Sequence, residues 1–154
     1  MAIKKKQSKK KVETPAQIEK GLWKIFSQYI RLRDSDSNHC ASCITCGDYL
    51  PIKLRLQAGH YVSRVVKSIK YDERNVHAQC ERCNKYLHGE PILYRIAIIK
   101  RYGEQVAKYL DSELAKHRSG ITRRFTTHEL RTMRDMYTNK FLKLAEKKGN
   151  PWSK

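Results

Sequence analysis

The chain has 154 residues, an apolar fraction of only 40%, and 33 Lys and Arg against 15 acidic residues, for a formal charge of +18. That length suits one small domain with helical additions, and that charge is too large for solubility alone: it is the footprint of a polyanionic partner, most simply nucleic acid. No apolar run approaches a membrane span and the first residues lack the apolar core of a signal peptide, so the expectation is a cytosolic chain whose five cysteines are metal ligands rather than a disulfide framework.

Residues 1–13 hold six lysines and almost nothing apolar, which predicts a disordered basic arm, either a tether onto phosphates or a tail that aids solubility. Residues 14–38 carry the first helix. Thr14-Pro15-Ala16-Gln17 is a helix start, and Ile18, Leu22, Ile25, Phe26 and Tyr29 form a stripe that predicts a helix to near Arg33. Trp23 lies just off that stripe, with core packing as its ordinary role and stacking on a base as the alternative. Residues 34–38 are a polar loop.

Residues 39–90 hold the cysteines. Cys40, Cys43 and Cys46 offer two overlapping CxxC pairs, and only one can join Cys80 and Cys83. Cys43 and Cys46 are preferred because Gly47 suits the tight turn of a knuckle, where backbone amides point at the sulfurs. Cys40 is then the odd thiol, half-buried and inert. Tyr49 to Gln57 alternates apolar and polar residues and predicts one strand that delivers Gly59-His60. Val62 to Tyr71 is basic and irregular, a loop or second strand suited to lie along a phosphate backbone.

Residues 91–149 are expected to be helical. Pro91 to Tyr102, carrying Ile92, Leu93, Ile96 and Ile99, stops at Gly103; Glu104 to His117 repeats the pattern with Val106, Leu110 and Leu114. Thr126-Thr127-His128-Glu129 is a capping box, and Leu130, Met133, Tyr137, Phe141 and Leu144 mark a helix to near Lys147. Met133 and Met136 are expected as core fillers. The spacing also suits pairing with a second copy, a homodimer, and Asn150-Pro151-Trp152 is expected to fray.

Four thiolates in two CxxC pairs make a closed tetrahedral zinc site, structural because no coordination position is left for a substrate. It would pin the strand end carrying His60 to a helix beginning near Asn84. His60 is a candidate general base for phosphodiester cleavage, which needs a deprotonated water and a divalent cation. Asn75 is placed to tie the loop of that base to the next strand. Asn84 and His88 stand at i and i+4 of the expected helix, where both can reach one ion; the blander reading makes Asn84 a helix cap and His88 a solvated side chain.

Cys43-x2-Cys46, Gly59-His60, Asn75, Cys80-x2-Cys83-Asn84 and His88 resemble the HNH subgroup of ββα-metal endonucleases with a four-cysteine zinc staple. The runs Ala58-Gly59-His60-Tyr61, Glu73 to Cys80, Cys83-Asn84, Tyr94-Arg95 and Gly103-Glu104-Gln105 are similar to the NinG (Rap) recombination endonucleases of lambdoid phages, over roughly Ile30 to Leu110. The resemblance implies an α+β fold in which a zinc-stapled ββα core is flanked by an N-terminal helix and C-terminal helices. It implies a phage protein acting in the cytoplasm of the bacterial host, beside phage recombination proteins, that nicks branched DNA such as Holliday junctions and D-loops with magnesium or manganese. His60 would activate water and stand beside the cation as a candidate ligand, Asn75 fix the loop, Asn84 ligate the cation, and His88 ligate it or contact a phosphate. Gly59 departs from the family pattern, in which Asp or His often precedes the base as a ligand; His88, Gln57, Asp72, Glu73, water or phosphate oxygens are left to complete the shell. Arg64, Lys67, Lys70, Lys85, Arg123 and Arg124 are the expected DNA contacts, reading shape rather than base sequence. The competing reading is a non-catalytic zinc-knuckle accessory protein that binds nucleic acid.

Overall fold

The computed structural model of the chain describes residues 12–153, so the expected basic arm lies almost wholly outside the described residues. In order these form α1 (Pro15–Asp34), β1 (Cys40–Ser42), β2 (Tyr49–Pro51), β3 (Leu56–His60), a 3₁₀ turn (Lys67–Ile69), β4 (Val76–Cys80), a π-type turn (Arg82–Tyr86), α2 (Pro91–Tyr102), α3 (Glu104–Arg118) and α4 (Thr127–Lys148). The class is α+β, with two small antiparallel sheets, β1 with β2 and β3 with β4, the second pairing Gly59 with His77 and His60 with Val76.

The two long helices start as their sequences require. The Thr14 and Thr126 hydroxyls accept from the amides of Gln17 and Glu129, whose side chains accept from the cap amides in return. Ile18, Leu22, Phe26 and Ile30 of α1 pack against Leu130 and Tyr137 of α4 and against Ala58, Tyr71 and Val76 around the hairpin. Phe26 meets Tyr137 and Tyr71 edge-on at 4.7 and 5.4 Å, so its truncation to Ala should cost about 3–5 kcal/mol. The α4 face expected to be available to a second copy is therefore occupied by α1. At the end of α1, Arg33 donates to the carbonyls of Glu73 and Val76 at 2.8 and 2.9 Å, and Asp34 accepts from the Ala78 amide at 2.8 Å, stitching the helix to β4.

The structure corrects six expectations. The single strand over Tyr49–Gln57 is two strands: the Arg55 amide closes a turn onto the Pro51 carbonyl, which buries Ile52 and leaves Leu54 80% exposed. The helix expected beyond Cys83 is only the five-residue π-type turn, and His88 lies past its end at φ 52°; Asn84 and His88 do not share a helical face. The Val62–Tyr71 loop is not free to lie flat on a backbone, because Val62, Val66 and Ile69 are buried against Tyr94, Ile98, Ala107 and Leu110 of α2 and α3. The stripe on α2 is rotated, with Tyr94 and Ile98 inside and Ile92, Leu93 and Ile96 outside. Finally, Met136 is exposed rather than a core filler, while Trp152 folds back onto Phe141 and the Arg31 guanidinium instead of fraying.

Candidate metal centre and catalytic cleft

The sulfurs of Cys43, Cys46, Cys80 and Cys83 lie within 4.8 Å of one another. Cys43 and Cys46 flank the turn into β2 that ends in Gly47 at φ 81°; Cys80 ends β4 and Cys83 sits in the π-type turn. Amides point at the sulfurs, Cys80 N–H to Cys43 Sγ at 3.3 Å and Cys83 N–H to Cys80 Sγ at 3.4 Å. Although burial opposes it, the amides of Cys46, Cys80 and Thr45 and the Thr45 hydroxyl pull the Cys43 thiol down to about 6, toward the thiolate a metal needs, while burial raises the Cys46 and Cys80 thiols. Four soft donors at this separation fit a structural ion such as zinc. Cys40, in β1, stands outside the cluster and half-buried.

This cluster anchors the start of the turn that carries His88. His88, Gly89 and Glu90 follow one another at φ 52°, 88° and 50°, a left-handed run that costs on the order of 1–2 kcal/mol for each non-glycine residue. Three bonds hold it: the Gly89 amide donates to the Cys83 carbonyl at 2.8 Å, the Glu90 amide to the Leu87 carbonyl at 3.0 Å, and Gln79 Nε2 to the Gly89 carbonyl at 2.9 Å. Gln79 reaches there because β3 has a glycine beside it. A Cβ on Gly59 would stand 2.9 Å from Gln79 Cβ and overlap its Oε1. The residue that departs from the family pattern is thus required by the packing of the second strand.

His60 closes β3. Its Nε2 donates to the Lys70 carbonyl at 2.9 Å, which leaves Nδ1 as the lone-pair nitrogen, and Trp23 stacks on the ring at 5.4 Å. Burial first, then the charges of Lys70 and Arg64, lower the His60 pKa to about 4, so the imidazole is neutral near pH 7. Asn75 is fully buried: its Oδ1 accepts from the Val62 amide at 2.7 Å and its Nδ2 donates to the carbonyls of Val62 and Ile69. Both ends of the loop that presents the Lys70 carbonyl are held by this one side chain. Behind the strand, Tyr102 donates to His77 Nε2 at 2.8 Å, His77 Nδ1 donates to the Tyr94 hydroxyl at 3.2 Å, and Tyr94 donates to the Gly59 carbonyl at 2.8 Å. His77 is therefore a buried structural group, its pKa lowered to about 3 by burial. Tyr94, Tyr102 and Gln79 position the strand, and nothing in their sequence pattern marks them beyond the aromatic residues themselves.

A cleft of about 620 Å³ opens over His60 and is also lined by Gln57, Asn84, His88, Arg64, Lys85, Trp23 and Arg31. Asn84 Nδ2 donates to Gln57 Oε1 at 2.7 Å, fixing the amide so that its Oδ1 is left as the free acceptor oxygen. Among the described residues, no acidic side chain lines the cleft. Asp72 is paired with Arg74, and Glu73 with Lys140 and Tyr29, so neither completes a shell here. Of the expected DNA contacts, Arg64 and Lys85 border the cleft, whereas Lys67 and Lys70 both bind Glu19 of α1, at 2.9 and 2.6 Å. Arg123 pairs with Glu129, and it and Arg124 precede α4 away from the cleft lining. None of the described helices is long and apolar enough to cross a membrane.

Comparison with known proteins gives one family. The model described as Bacteriophage Lambda NinG protein matches residues 2–148. Protein ninG of Salmonella phage P22 is 30% identical over 122 residues, 79% of this chain and 54% of that protein. Protein ninG of Escherichia phage lambda is 29% identical over the same coverage, and that of Enterobacteria phage H19B is 33% identical over 91 residues, 58% of this chain and 42% of that protein. The chain spans about half the length of the curated relatives it matches. No solved structure matches it. With nearly its whole length accounted for by one family model, the chain belongs to the NinG family of phage proteins.

Proposed function

We propose that the protein is a zinc-stapled, metal-dependent endonuclease of the HNH type that nicks branched DNA. The observation that carries this reading is the His60 imidazole, held by the Lys70 carbonyl through Nε2 so that Nδ1 is its free nitrogen, in one cleft with Asn84, His88 and Arg64. The β3–β4 hairpin followed by the Arg82–Tyr86 turn has the order of a ββα-metal core, shortened in its helix.

His60 Nδ1 takes the proton of a water that attacks the phosphorus in line with the departing 3′ oxygen. Arg64 and Lys85 draw the phosphate into the cleft and offset its charge. Asn84 Oδ1 and the His88 imidazole are the side chains that would hold magnesium or manganese, with Gln57 keeping the Asn84 amide turned outward. Such a cation, when bound, stabilises charge on the phosphate oxygens. A neutral donor set in a cleft without carboxylates fits a hard ion that keeps its waters and takes its anionic ligands from the substrate. Branch preference would come from a strongly basic surface that accepts bent or splayed duplex.

The test uses a labelled four-way junction and a linear duplex of equal length, with magnesium, manganese or EDTA. Metal-dependent nicking of the junction by wild type, lost in His60→Ala with junction binding retained, supports the proposal. Tight binding without cleavage under any metal would replace it with the accessory-protein reading.

A further inference from the structure

A second depression, an open groove of about 1020 Å³, adjoins the cleft. Trp23, Ser27 and Arg31 line both. The walls of the groove are α1, the exposed turn Lys53-Leu54 between β2 and β3, and Trp152 of the folded-back tail. The Trp152 indole is held by Phe141 at 6.0 Å and by the Arg31 guanidinium at 5.0 Å. Lys20, Lys24 and Lys53 stand exposed along the rim. The only acidic side chain in the lining, Glu13, is engaged by Arg134 through both oxygens, at 2.9 and 3.0 Å.

Two indoles and an 80%-exposed leucine inside a ring of lysines do not suit intact duplex, which offers phosphates and sugars outward and keeps its bases stacked. They suit a strand whose bases are free: each base has a face to lay on an indole, and its phosphates meet the lysines. We propose that this groove holds an unpaired DNA strand and leads it past Trp23 to His60. The assignment of the strand's destination rests on the nuclease reading; the assignment of the groove itself does not. It gives the enzyme a physical means of preferring branches, because only a branch supplies an unpaired or splayed strand beside a scissile phosphodiester.

The chain has only two tryptophans, and both line the groove, so its intrinsic fluorescence reports on the occupant directly. Zinc-loaded protein, with no magnesium or manganese added, is titrated with oligo-dT and with blunt linear duplex. Oligo-dT should quench the indole emission strongly and duplex weakly. Trp152→Ala should lower oligo-dT affinity about tenfold, the loss of roughly one stacked base, with duplex affinity within twofold of wild type. Lys53→Gln, on an exposed turn, guards against misfolding of the first variant and should lower oligo-dT affinity severalfold while leaving the thermal midpoint unchanged. Emission unmoved by oligo-dT, or both variants binding it as wild type does, overturns the proposal. So does a concentration-dependent dimer that Leu54→Glu abolishes without affecting oligo-dT, since the groove would then hold a second copy. Normal quenching by a wild-type protein that cuts nothing leaves the groove standing and removes the nuclease.

Discussion

Gly59→Ala is the substitution most revealing of how the cleft is built. The added Cβ would stand 2.9 Å from Gln79 Cβ, closer than such atoms approach, and would overlap Gln79 Oε1. The amide end could rotate away, but the Cβ cannot, so β3 and β4 must separate or the Gln79 side chain must leave its place. Overpacking of this kind costs about 1–3 kcal/mol, and losing the bond from Gln79 Nε2 to the Gly89 carbonyl adds about 1 kcal/mol. Gly59→Ala should therefore destabilise by about 2–4 kcal/mol. Gln79→Gly should cost about 2–4 kcal/mol, from lost buried hydrogen bonds and a glycine inside a strand, but it also removes the Cβ that the new side chain would meet. In the Gln79→Gly background Gly59→Ala should thus cost at least about 1 kcal/mol less than in wild type, a coupling typical of touching residues. Urea unfolding of zinc-loaded wild type, both single variants and the double variant measures this. Gly59→Ala within about 0.5 kcal/mol of wild type, or strict additivity of the pair, would refute the argument that packing excludes a side chain at position 59.

Three further outcomes follow. Stripping the metal with a strong chelator, or Cys83→Ser, should cost several kcal/mol, a fall in Tm on the order of 10 °C, whereas Cys40→Ser should leave zinc content at one per chain by atomic absorption. His60 and His77 have pKa values lowered by burial to about 4 and about 3, below the 6.5 of the unfolded chain, so the unfolded state takes up protons first. Stability should be full above pH 6.5 and fall by several kcal/mol as pH drops toward 3; a urea midpoint flat across that range contradicts the burial of both rings. Because the cleft lining holds no carboxylate, Mn2+ should bind His60→Ala at least about tenfold more tightly when junction DNA is present; calorimetry showing equal affinity with and without DNA would contradict that.

The four-cysteine cluster was legible because thiolate spacing is local: Cys43, Cys46, Cys80 and Cys83 come together as their CxxC pairs require, and Gly47 marks the right first pair. Capping boxes are equally local, and α1 and α4 begin where Thr14 and Thr126 predict. What was not legible depends on tertiary partners. The alternation of Tyr49 to Gln57 resembled one strand, and only the turn at Pro51–Arg55 divides it. Asn84 and His88 reach one cleft through a left-handed turn held by Cys83 and Gln79, not through helical spacing. Gly59 presented itself as a missing ligand, yet its constraint comes from a residue twenty positions away. Trp23 sat one step off a helical stripe, where nothing but the position of His60 distinguishes a cleft wall from a core residue.

The central claim is that His60 acts on substrate rather than on the fold. It is tested most directly by single-turnover cleavage of a four-way junction by wild type and His60→Ala, with binding of the same DNA measured in parallel. The account predicts a rate loss of about 10²–10⁴-fold with junction affinity close to wild type and a thermal midpoint lowered by only a few degrees, the cost of the lost Lys70 hydrogen bond and Trp23 contact. A His60→Ala protein that cuts the junction as fast as wild type would contradict it.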